Sequence, residues 1–232
     1  TRVGHNIVSM YDAAVRRDPK AGLAYPRDIA AARASNLPVL KFAIALAPPE
    51  DLSNPEIVTA QAYVDMVTYA RSVSDLVILD TQISERFDTT GIIESVAIPS
   101  IMSANGMGLG ITDSSTEGTD NLEKRLRHFT SVGVERDHLL SVANRHGTYT
   151  EQYVQGLKAR YSPYSHFVGV VAEDIDFQGK YNVGTIDLEN PTMAPALRAV
   201  LRRATKDARF DEPVREIKRG GFFRRNRRGD DS

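Results

Sequence analysis

The residue best placed to do chemistry is Asp80. It closes the run Leu76-Val77-Ile78-Leu79 and is followed by Thr81 and Gln82. A continuous apolar run of this length predicts a strand buried on both faces, as in a parallel sheet. An acid at the carboxyl end of such a strand stands where open α/β sheets gather their ligands. The alternative is an Asp that only forms a turn or a cap. Other chemistries have less support. The chain has no cysteine, which excludes a disulfide framework, a thiolate metal site and a Cys nucleophile. The five histidines (His5, His128, His138, His146 and His166) show no metal-ligand spacing. No G-x-S-x-G elbow occurs, so a serine nucleophile has no support. The glycine cluster Gly106-Met107-Gly108-Leu109-Gly110 lacks a following Lys-Thr and runs toward a strand, unlike a phosphate-cradling loop.

The elements that must position these residues follow from periodicity. Helices are expected over 6–17, 28–34, 54–72, 89–98, 119–132, 150–160 and 195–208. Strands are expected over 37–46, 76–79, 107–113, 138–143 and 167–171. Strands alternating with helices of this length predict an α/β fold, a mostly parallel sheet with helices on both faces. The 232 residues are 41% hydrophobic and 25% charged with a net charge of −1, so global electrostatics names no partner. No apolar run reaches the ~20 residues a spanning helix needs, and Thr1-Arg2-Val3-Gly4-His5 is not a signal pattern. A cytoplasmic protein is expected; peripheral attachment to a membrane or nucleoid enters only with the basic tail and the resemblance given below.

The order of motifs resembles the ParA/MinD-type P-loop ATPases. Asp75-Leu76-Val77-Ile78-Leu79-Asp80-Thr81 is similar to that family's Walker B segment, with Gln82 where Pro is usual. Gly108 to Ser115 resembles its next strand. Gly133-Val134-Glu135-Arg136-Asp137 through Asn144-Arg145 resembles the strand that ends in Asn-Arg. Val171-Ala172-Glu173-Asp174 sits at its Ile-Pro-x-Asp loop, with Ala172 in place of Pro. Gly184 to Asp187 and Pro191 to Leu201 resemble the closing strand and helix.

The resemblance covers about residues 37–208 and implies a doubly wound, P-loop NTPase-like domain over 1–208. It implies that Asp80 is the catalytic acid holding Mg²⁺ through water. Asn144 and Arg145 would lie at the adenine, and Asp174 in the base-side loop. ATP and Mg²⁺ are the implied cofactors. A homodimer with an unidentified activating partner is the implied assembly. Each residue has a plainer reading: Asn144 as a local turn former, Asp174 as one loop acid beside Asp176. The family's Gly-rich Lys-Thr phosphate loop does not occur in this sequence. The expectation is a chain that lacks an N-terminal βαβ unit of about 40–50 residues, or a degenerate relative without hydrolysis.

Residues 209–232 read as a basic flexible tail. Between Arg215 and Arg228 lie seven Lys or Arg and one acid, Glu216, too little apolar content for a core. Arg219, Phe222, Phe223, Arg224, Arg225, Arg227 and Arg228 are its candidate binding residues, for DNA or an anionic membrane surface. By resemblance, MinD-like proteins carry a membrane anchor near this position. The expected function is an ATP-dependent dimer switch that partitions DNA or positions a cellular machine. The alternative is a catalytically inactive adaptor that recruits partners through the Arg-rich tail.

Overall fold

The computed structural model describes residues 8–33, 39–81, 91–103, 106–113, 115–146, 150–174, 176–177, 179 and 190–211. The chain begins with α1, Met10–Arg16. Ser9 caps it: its hydroxyl accepts from Tyr11 N–H, and its own N–H donates to the Asp12 carboxylate at 2.8 Å. A 3₁₀ turn, Pro19–Gly22, leads to β1 (Leu23–Ala24) and α2 (Pro26–Ala31). A Cβ on Gly22 would lie 2.7 Å from that of Ala13, so only glycine lets the turn close on α1. β2 (Ile44–Ala45) pairs antiparallel with β1. Helix α3, Ala60–Val73, lays Met66 against Met10, Ala13, Leu23 and Val58, and together they form a first core cluster.

The second cluster belongs to the larger sheet. A π-helical turn, Ile93–Ala97, runs into α4 (Ile98–Ser103). Pro99 supplies no N–H to the ladder there, a common cause of such irregularity. Then come β3 (Gly108–Thr112), α5 (Thr116–Ser131), β4 (Leu139–His146), α6 (Glu151–Tyr161), β5 (His166–Ala172) and α7 (Ala194–Thr205). The sheet order is β3-β4-β5, all parallel, with Gly108 opposite Leu139 and Thr112 opposite Ala143. β4 is central: Leu139, Leu140, Ser141, Val142 and Ala143 are all buried, the pattern of a strand covered on both faces. Its one polar member in that run is satisfied, since Ser141 and Ser165 share a hydrogen bond of 2.9 Å.

The expected α/β class and parallel sheet are therefore present from residue 108 onward, and the expected elements there match within a few residues. The first half differs. Of the strand expected over 37–46, only Ile44–Ala45 pairs, while Val39 and Phe42 are exposed; residues 37–38 lie outside the described ones. The helix expected from 54 starts at Ala60. Asn54 instead folds residues 54–58 into a turn, accepting from Glu56 N–H, and Thr59 supplies the N-cap.

The run 76–79 has no regular structure and belongs to neither sheet, with Leu76, Ile78 and Leu79 at 50, 83 and 37% exposure. Its composition suits a buried strand, but no edge receives it. Among the described residues, no helix is long and apolar enough to cross a membrane.

Candidate functional site

Because β3, β4 and β5 are parallel, their carboxyl ends share one edge, the side on which open α/β sheets bind ligands. Asn144 reaches it from β4. Ala143 lies opposite Val170 and His146 opposite Ala172, so Asn144 and Arg145 together face the single residue Val171 in a bulge. Bulges of this kind re-aim side chains next to sites. Asn144 is half-buried.

Asp174 reaches the edge just beyond β5, and its carboxylate is engaged. One oxygen accepts from the N–H groups of Asp176 (3.0 Å) and Phe177 (3.3 Å). The other accepts from the Asn190 amide. Asn190, only 2% exposed, accepts in turn from the Thr192 and Met193 N–H groups at the start of α7. Asp174 is thus half of a clamp between the end of β5 and the beginning of α7. Sequence reasoning did not find Asn190, whose partner lies sixteen residues away.

The third position on the edge is Asp113, after β3. Its Oδ1 accepts from the Ser115 hydroxyl (2.6 Å) and N–H (2.9 Å), and these bonds hold its carboxyl below the ordinary aspartate range. Ser115 caps α5 by accepting from Gly118 N–H at 2.9 Å. A Cβ on Gly118 would lie 2.1 Å from Asp113 Oδ1. The positive end of α5 therefore already faces a carboxylate of its own chain. The glycine cluster has a packing role. A Cβ at Gly110 would sit 2.4 Å from Leu122 Cδ1, and one at Gly108 2.8 Å from Leu139 Cδ2.

Asp80 stands apart. It is exposed in a segment that belongs to neither sheet. Asn144 and Asp174 share an edge, and Arg145 belongs to the same bulged strand. The tail residues Arg219, Phe222, Phe223, Arg224, Arg225, Arg227 and Arg228 lie outside the described residues. Among the described residues no group of three His, Asp or Glu could hold a metal ion. His128, His138 and His166 bond separately to Glu94, the Gly106 carbonyl and Asp137.

Between α5 and α6 lies an open cleft of about 300 Å³, lined by Thr116, Thr119, Tyr153, Gly156, Leu157 and Arg160. Arg160 is committed to Glu123 (2.6 Å) and Asp120, so its charge is neutralised within the wall. Compared with known proteins, the chain matches no family model, no curated protein and no solved structure.

Proposed function

We propose that the chain is a ParA/MinD-like nucleotide switch of the kind that partitions DNA or positions a cellular machine, and that these residues carry its base-side half. The observation that carries this reading is Asn144 in a bulge at the carboxyl edge of a parallel sheet, beside the Asp174 loop. Both positions are those the motif resemblance assigns to the adenine side. Asn144 lies in that bulge, at the edge where a base would be read, and an Asn amide offers one donor group and one acceptor.

The phosphate side does not fit these residues. Asp113 occupies the start of α5, Gly108 and Gly110 are wedged against side chains, and no Gly-Lys-Thr loop occurs in the sequence. No hydrolytic step is assigned to them. Adenosine, AMP and ATP with Mg²⁺ are therefore expected to bind the 232-residue chain with affinities within about threefold of each other, since phosphate-binding groups are what separates them. Asn144→Ala should weaken all of them by at least about tenfold, the worth of a good polar pair, with no ATP turnover by either protein. Competition titration against a fluorescent adenosine checks this. Absence of saturable adenosine binding, or equal binding by Asn144→Ala, would remove the reading.

A second reading, the non-catalytic adaptor, is favoured by Asp80, which stands exposed and outside the sheet. Under it, Asp80→Ala leaves partner binding intact while deletion of residues 215–232 abolishes it, measured by pull-down of the same partner with both variants.

A further inference from the structure

Among the described residues β3 is an edge strand, paired on one side only. Its inner edge pairs with β4, while among the described residues no backbone group bonds to the other side. Exposed edges in folded proteins are normally blunted by charge, by Pro or by a bulge. Here Gly106-Met107-Gly108-Leu109-Gly110-Ile111-Thr112 carries no charge and no Pro, and the β3–β4 register runs without a shift. The face of β3 turned away from α5 is bare as well: Leu109 is 38% and Ile111 53% exposed. On the same face of β4, their register partners Leu140 and Val142 are buried. The cover over the central strand stops short of the edge.

We propose that this edge pairs with the same edge of a second copy, antiparallel and two-fold symmetric about Gly110, joining two three-stranded sheets into one of six strands. Self-pairing suits the residue order. With Gly110 at the axis, Leu109 lies opposite the partner's Ile111 on the bare face, the kind of apolar cross-strand pair that stabilises a ladder. Asp113, the nearest charge, falls opposite the partner's Met107, so the two carboxylates stand at opposite ends of the ladder. A net charge of −1 per chain opposes association only weakly. Among the described residues, the exposed apolar run Leu76–Leu79 belongs to neither sheet and does not take this edge. A five-residue ladder is a small interface, so the dimer is weak and concentration-dependent. It needs no nucleotide and does not depend on the function proposed above.

The test uses the 232-residue chain in nucleotide-free buffer. Sedimentation velocity over a wide concentration range should show a reversible monomer–dimer equilibrium. Ile111→Lys places a charge on the exposed edge and should weaken association by at least about tenfold with an unchanged circular dichroism spectrum. The register is tested by oxidation, which the absence of native cysteine makes unambiguous. Leu109→Cys mixed with Ile111→Cys should give a disulfide-linked dimer, whereas each variant alone should not, because like positions are diagonal and too far apart. A chain that stays monomeric throughout, or an Ile111→Lys variant that associates like the parent, overturns the proposal. So does cross-linking within either single variant. An intramolecular disulfide in a monomeric Ile78→Cys/Ile111→Cys protein also overturns it, and gives the edge to the chain's own run.

Discussion

Gly118 and Gly156 both sit inside helices, yet the structure gives them opposite values. A Cβ at Gly156 meets nothing within 4 Å, so that glycine only loosens α6. Gly156→Ala should stabilise the protein by about 0.5–1 kcal/mol, the difference in helix propensity. At Gly118 the same methyl collides with Asp113 Oδ1 and drives the carboxylate off Ser115. Gly118→Ala should therefore lose about 1 kcal/mol, the worth of an N-cap, despite the better propensity of Ala. Urea denaturation of the two variants checks the pair, and a stabilised Gly118→Ala would mean the Asp113 contact contributes nothing. The sequence showed both glycines but not which one a neighbouring side chain depends on.

Among the elements, the clamp between β5 and α7 depends on Asn190. Its amide bridges Asp174 and the Thr192 and Met193 N–H groups just before α7 from a site shielded from water. Asn190→Ala removes these bonds, one of them to a carboxylate, and should cost about 2 kcal/mol, seen as a lower denaturation midpoint with an unchanged slope. Elements from β3 to α7 were legible in the sequence because each carries its own signals. Ser115 and Thr150 cap α5 and α6, and alternating small and apolar residues mark β3. The run 76–79 and the strand expected over 37–46 carried composition alone. Apolar, β-branched residues state a need for burial, but only a waiting edge makes a strand of them. In the candidate site, the motif resemblance alone singled out Asn144 and Asp174; the bulge that carries one and the amide that holds the other are tertiary facts.

For the whole molecule, Tyr161 reports on how the larger core holds together. It is fully buried, and its hydroxyl donates to the Thr119 carbonyl of α5 at 3.3 Å. Burial pushes its pKa up to about 12, from 10.0. The folded state thus keeps a proton that the unfolded chain gives up first. The stability linked to this group is fully present below pH 10 and is lost as pH rises toward 12, by about 2–3 kcal/mol across that window. Tyr161→Phe should be less stable by about 1 kcal/mol at neutral pH for the lost hydrogen bond, and should lose much less than the parent across the alkaline window. Thermal melts at neutral pH and between pH 10 and 12 separate the two effects. The strand order β3-β4-β5 also bears on how the protein is made. Strands adjacent in space are adjacent along the chain, and no later segment has to be threaded between them. During synthesis each strand can dock on its predecessor as it leaves the ribosome, so the sheet can assemble in the order in which it is translated.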